Sequence, residues 1–360
     1  MDATKTLPAS WYTSQNLYHL EQRAVFYKAW YLVGAVPRFA VDREVDFEFA
    51  GVTVIVRHDG NENFTVTRKS DVCFFFFFRP FPFFILHSSS KQSPVHMNFL
   101  VTHEGWATQG LELDNYLTPT GLLFTTVDPS APSFSEWFPA SLLELLSGYN
   151  FRRLAHRRTI KYPGRFNWKT MVDGYQECLH CQYTHRSFSV KYPPTFYEVH
   201  NHHTYSRHIA DPANPNDGLF LFFYPICTLN LYGGGMSSFR VCPGDKVGDT
   251  RMEFDYYFDD GKGGTEGFEE YFKFVRKVAQ EDFELCEVAQ TNLERGIYSQ
   301  GVLNQKKESG VLHYQQLTRK MVVDKFKEEE AEKNALSPAS SRASVGYGSG
   351  SGQDDVSVSA

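Results

Sequence analysis

The chain lacks a run of apolar residues long enough to cross a membrane. Its most apolar stretch, Val72 to Leu86, is broken by Arg79, Pro80 and Pro82 and falls short of the ~20 residues a spanning helix needs. Met1 to Ser10 has no apolar core of a secretory signal. There is no basic block either: 36 basic against 42 acidic residues leave a net charge of −6. That balance excludes the electrostatic footprint of a nucleic-acid or anionic-membrane binder and points to a small-molecule partner. Cysteine is scarce, with six scattered residues in 360, so no disulfide framework is expected and the protein reads as cytoplasmic and reduced. No internal repeat is visible. What the chain has in excess is aromatic: 32 Phe and 20 Tyr suit a thick β-rich core or an apolar pocket equally well.

In chain order, Pro8 to Trp30 reads as a helix with Ser14 as a capping residue. Alternation around Phe47, Phe49, Val52, Val54 and Val56, a turn at D-G-N-E-N and a resumption at Phe64 and Val66 predict a β-meander. Leu122 to Val127 is a further strand, and Leu142 to Leu146 a short helix after a Ser/Pro-rich connection. Strands follow at Leu219 to Tyr224, Thr228 to Tyr232, Ser237 to Cys242 and Arg251 to Phe258. An amphipathic helix then runs from Phe268 to about Arg295. On it Tyr271, Val275, Val278, Asp282, Leu285 and Ala289 step by threes and fours, which sets Asp282 inside an apolar stripe while Glu281, Glu284 and Glu287 flank it. Such an aspartate is either a core residue satisfied by a hydrogen bond or a basic group, or a metal ligand. From Lys325 the composition turns charged and then Ser/Gly-rich, and 331–360 is expected to be a disordered tail.

The most informative stretch is Arg165 to Phe188, R-F-N-W-K-T-M-V-D-G-Y-Q-E-C-L-H-C-Q-Y-T-H-R-S-F. Read as a helix from Trp168 to His180, it places Asp173, Glu177 and His180 on one stripe, two candidate catalytic carboxylates and an imidazole aimed at one place. His185 lies about 140° further round, so both rings reach one ion only if the helix ends or bends between them. Cys178, His180, Cys181 and His185 offer an alternative zinc set, and C-x-x-C a redox pair. His200, His202, His203 and His208, in a polar segment, read as solvated surface.

N-W-K at Asn167 to Lys169 followed by E-x-x-H-x₄-H resembles the catalytic motif of Rieske-type non-haem iron oxygenases, in particular the choline and carnitine monooxygenase branch. W-Y-T-S-Q-N-L-Y-H-L-E, F-F-Y-P-I-C-T-L-N-L-Y-G-G-G and Q-E-D-F-E-L-C-E-V-A-Q are similar to the same branch. The resemblance implies an α+β chain, with a β-rich Rieske-like domain in 1–140 and a helix-grip catalytic domain in 141–330, an antiparallel sheet wrapped on a long helix. It implies His180, His185 and Asp282 as ligands of a mononuclear Fe(II), and Glu177 as the bridge that passes electrons in from a neighbouring subunit. Two neutral imidazoles and one carboxylate leave open positions on Fe(II) for O₂ and substrate. The implied reaction is O₂-dependent hydroxylation of a small substrate such as choline, fed by a separate reductase or ferredoxin, commonly in a homotrimer. Family members also carry a [2Fe–2S] cluster on C-x-H and C-x-x-H pairs. Here the pattern breaks. Cys73 is present, but Phe75 stands at the first histidine. Later, His103 in T-H-E-G-W is matched by Leu100 at the cysteine position. The intervening V-C-F-F-F-F-F-R-P-F-P-F-F-I-L-H-S-S-S is built from residues with pyrimidine-rich codons, and our hypothesis is that it is a translated intron in place of the exon bearing the cluster ligands.

Overall fold

The computed structural model describes residues 4–69, 99–101, 107–214 and 217–336. Cys73, His103 and the phenylalanine-rich segment lie outside them, as does 337–360. Strands segregate into an N-terminal group and one large sheet, the α+β arrangement expected from the sequence.

In the N-terminal group the meander forms as Glu44–Phe49, Val52–Gly60 and Asn63–Arg68, antiparallel neighbours in a four-stranded sheet closed by Leu111–Glu112. Burial alternates along Val52–Gly60, so Val52, Val54 and Val56 face inward. Asn61 and Glu62, both at positive φ, make the tight hairpin turn whose twist matches that of its strands. A second sheet joins Tyr31–Ala35, Leu122–Thr125 and Asn115–Leu117. The helix expected from Pro8 to Trp30 is instead three pieces, Ser10–Thr13, Gln15–Ala24 and the single turn Phe26–Lys28. Ser14 takes extended dihedrals and accepts from Leu17 N at 3.4 Å, so the capping residue starts a new helix and ends the previous one.

The large sheet has seven antiparallel strands in the order Ala155–Gly164, Thr250–Phe258, Gly235–Pro243, Cys227–Tyr232, Leu219–Phe223, Tyr205–Ile209 and Glu198–Asn201. Its central strands are buried on both faces. One face carries an ion network in which Arg240 Nη2 donates to Glu253 at 2.9 Å and Asp255 at 2.7 Å, with Arg38 beside them and the Phe47 ring about 5 Å from both guanidinium groups. Arg38 thereby ties the turn before the meander to the sheet, and the Phe47 ring against both guanidinium groups is the meander's own contact with this network. The other face takes the long helix Gly264–Glu294, through Phe268, Tyr271, Val275 and Ala279. Contact is close enough that a Cβ on Gly235 would sit 2.6 Å from the Tyr271 ring. A last helix, Ser309–Leu336, packs on Gln15–Ala24. Residues 331–336, expected in a disordered tail, are helical, because their charges continue an amphipathic helix already anchored by buried Val311, Tyr314 and Val322. Among the described residues no helix is long and apolar enough to cross a membrane.

Candidate metal centre

The central motif begins as structure and ends as chemistry. Asn167 caps the helix Trp168–Tyr175, accepting from Lys169 N at 3.1 Å and donating to Val247 O at 2.7 Å. Trp168 Nε1 donates to Glu21 Oε2 at 3.0 Å, and Lys169 Nζ meets both Glu21 oxygens at 2.7 and 2.9 Å, with neither side chain of that pair exposed. N-W-K thus clamps this helix to Gln15–Ala24. The helix stops at Tyr175, five residues before the expected end. Glu177 turns its carboxylate back onto Leu179 N and His180 Nδ1, a side-chain bond that competes with the helical ladder. His180 and His185 then flank the short helix Cys181–Thr184, one at each end.

That break answers the geometric demand. The two rings stand 5.1 Å apart between centroids and nearly perpendicular. Asp282, from the long helix, presents Oδ1 at 3.3 Å from His180 Nε2 and 2.8 Å from His185 Nε2. One donor atom from each of the three lies within 4.8 Å of the others, a set that fits a single divalent cation. Each ring is held from behind by a carboxylate: His180 Nδ1 donates to Glu177, and His185 Nδ1 to Glu281 Oε2 at 2.8 Å. A carboxylate on Nδ1 fixes the tautomer that leaves Nε2 free for an ion. Burial opposes charging His180, yet hydrogen bonds to Asp282 and Glu177 outweigh it and raise its pKa to about 10. Against the same burial, Asp282 and Glu281 raise that of His185. Burial pushes Asp282 up, but the two imidazoles bring it below the ordinary carboxylate range. The centre therefore attracts positive charge, and a bound cation would displace ring protons.

Not every expected residue arrives. Asp173 faces away from Glu177 and His180, accepting from Tyr12 OH at 2.7 Å, Gln315 Nε2 at 2.7 Å and Tyr314 OH. The stripe that joined them required an unbroken helix. Cys178 and Cys181 are bonded to each other, which corrects the expectation of a fully reduced chain. The bond also removes both thiolates from the zinc set. Three residues apart across the turn between the two helices, their Cα atoms are 5.1 Å from one another, within reach of a disulfide. Cys227, Cys242 and Cys286 are free and buried. Of the six cysteines in the sequence, Cys73 alone is left for a cluster that requires two, so this residue set does not fit a [2Fe–2S] centre.

A cavity opens beside the three ligating groups, walled by Tyr175, Phe188, Phe220, Asn230, Tyr232 and Phe239 among others. Tyr175 OH donates to Asn230 Oδ1 at 2.7 Å. His208 also lines it. The solvated reading holds for exposed His200 and His203 and fails for His208, which is buried. The sequence also left Glu281 as a flanking charge. Its place next to Asp282, with one ring between two adjacent carboxylates, was the available signal.

Comparisons with known proteins point to one family. The family described as ring hydroxylating alpha subunit (catalytic domain) matches residues 151–214 and 200–324. The carnitine monooxygenase oxygenase subunit of Escherichia coli (strain K12) is 24% identical over 373 residues, covering 89% of this chain and 94% of its own. The chloroplastic choline monooxygenase of Arabidopsis thaliana is 25% identical over 347 residues, covering 84% and 79%. Among solved structures, the quaternary ammonium Rieske monooxygenase CntA in complex with L-carnitine superposes with a TM-score of 0.71 at 19% identity, covering 89% and 96%. Naphthalene 1,2-dioxygenase from Rhodococcus sp. superposes with a TM-score of 0.62 at 14% identity, covering 89% and 95%. Through its catalytic domain, the chain belongs to the ring-hydroxylating alpha-subunit family of Rieske-type non-haem iron oxygenases.

Proposed function

We propose that residues 141–330 form a mononuclear Fe(II) domain for O₂-dependent hydroxylation of a small quaternary ammonium compound such as choline, with residues 1–140 as a separate β-rich domain. The convergence of His180, His185 and Asp282 on one point carries this reading. Iron held there would supply open positions for O₂ and substrate. The chain's own residues do the rest. Glu177 and Glu281 hold the Nδ1 protons and so keep both Nε2 atoms turned inward. Tyr175, Phe188, Tyr232 and Phe239 exclude water and offer ring faces to a cation. The balanced reaction is C–H plus O₂, two electrons and two protons giving C–OH and water, and choline would yield an aldehyde hydrate. The electrons come from outside this chain, from a separate reductase or ferredoxin, and a homotrimer is the proposed assembly.

The cysteine inventory favours a second reading, in which the chain as written is a cluster-deficient iron-binding homologue. Metal and sulfide analysis of purified protein separates the two. About three irons per chain with acid-labile sulfide supports the complete oxygenase. One iron without sulfide supports the deficient form, and protein that binds zinc in preference to iron defeats both.

A further inference from the structure

Among the described residues that line the cavity, one buried side-chain atom has no hydrogen-bond partner. His208 sits on the strand Tyr205–Ile209, directly across from Phe220, which pairs with Asn230, which pairs with Ser237. These four line up across adjacent strands, and all face the cavity. His208 is 4% exposed. Its Nδ1 is in close contact with the Tyr197 hydroxyl, while Nε2 is buried with no hydrogen-bond partner among the described residues. A buried polar atom left unbonded is costly, so such an atom on a residue of the cavity wall marks where a ligand atom belongs.

The protonation pattern says what kind of atom. Burial lowers His208 to a pKa of about 3, so the ring is neutral and carries one N–H. Burial also pushes Tyr197 well above its ordinary range, so its hydroxyl keeps its proton. His208 is the one acceptor in contact with that hydroxyl among the described residues. With Nδ1 engaged by Tyr197, Nε2 is the ring nitrogen left for a ligand atom, as donor where Tyr197 donates to Nδ1 and as acceptor where Nδ1 donates to Tyr197. Among the described lining residues there is no lysine or arginine, whereas Glu177 and Asp282 are present.

We infer that His208 Nε2 hydrogen-bonds a hydroxyl of the substrate, with Tyr197 holding the other ring nitrogen, so that the cavity selects a cationic alcohol over its deoxy analogue. This rests on the small-ammonium reading above. A site built to bond a hydroxyl discriminates strongly against the isostere that lacks it.

The test is equilibrium binding by calorimetry on iron-loaded protein under anaerobic conditions, where no turnover occurs. The probes are choline, propyltrimethylammonium (a methyl in place of the hydroxyl) and carnitine. Wild-type protein is expected to hold choline about 5- to 30-fold tighter than propyltrimethylammonium. His208→Leu is expected to bring the first ratio to about one, and His208→Gln, which keeps an N–H donor, to retain part of it. Tyr197→Phe, which leaves the ring in place but frees Nδ1, serves as the second variant should His208→Leu not fold. A ratio near one in wild type, or an unchanged ratio in a folded His208→Leu, overturns the inference while the substrate class stands. Wild-type protein that binds none of the three overturns the substrate class and this inference with it.

Discussion

Replacing Glu21 by Gln tests how the catalytic helix is held. The substitution keeps the shape and an acceptor for Trp168 Nε1 but removes the charge that faces Lys169 Nζ at 2.7 and 2.9 Å. Both side chains are wholly buried. Burial pushes Glu21 up and Lys169 down, and their mutual attraction is what opposes this. Stripped of its partner, Lys169 would keep the Trp168 and Tyr12 ring faces, 4.8 and 5.4 Å from Nζ, and the more distant charge of Asp173. Cation–π contacts of this kind recover about 2 kcal/mol at most. Breaking a buried pair from one side costs about 3–5 kcal/mol, a large part of the roughly 5–15 kcal/mol of a typical domain. Urea unfolding followed by tryptophan fluorescence is expected to show that loss for Glu21→Gln and most of it for Lys169→Met. The double variant Glu21→Met/Lys169→Met should come back toward wild type, because the apolar pair leaves no charge buried. Less than about 1 kcal/mol for the single variants, or a double variant no better than either, would refute the claim that N-W-K works as a clamp.

Glu281→Ala removes the carboxylate behind His185, and by the usual cost of losing such a partner is expected to weaken iron binding about 10- to 100-fold. Chelator competition measures it, and unchanged affinity would mean that the ring is oriented by packing alone. Burial raises Asp173 from 3.8 to about 6, against hydrogen bonds from Tyr314, Tyr12 and Gln315 that lower it. A carboxyl with a raised folded-state pKa contributes stability that is complete below the unfolded value and lost as pH rises through the folded one. Wild type should therefore lose about 3 kcal/mol relative to Asp173→Asn between pH 4 and pH 7, and parallel stability curves for the two proteins would contradict the shift. For the phenylalanine-rich segment, a transcript spliced across it and encoding C-x-H is expected. Recovery of a Phe74 to Phe84 peptide from the native protein would defeat the intron hypothesis.

The regular elements were legible because each rests on a short period. Alternation of Val52, Val54 and Val56 gave the meander, and a 3–4 step gave the long helix with Asp282 set among apolar neighbours. Longer-range choices were hidden. The charged run after Lys325 read as solvent-loving, yet it is helical to Leu336. Its charges pair along the helix, Lys325 with Glu328 and Lys333 with Glu330, and Glu329 reaches Arg23 at 2.7 Å. Composition cannot tell a solvated helix face from a tail when the partner lies three hundred residues away. His208 was misread for a similar reason. Its neighbours in sequence are polar, and only the sheet turns that position toward a cavity.

The candidate site shows why one wrong element can still lead to the right residues. An unbroken helix from Trp168 to His180 puts Asp173, Glu177 and His180 on one stripe but leaves His185 about 140° off it, so that reading contained its own contradiction. One of the two groupings had to fail. The chain keeps the histidines together and gives up the stripe, because Glu177 is worth more bonded to Leu179 N and His180 Nδ1 than as one more turn of helix. Asp173 then stays behind with Tyr12, Tyr314 and Gln315, tying two distant segments of chain to the last turn of the helix. The spacing E-x-x-H-x₄-H is thus a statement about a break. Glu177 ends one helix, His180 and His185 bracket the next, and the gap between them is where Asp282 enters.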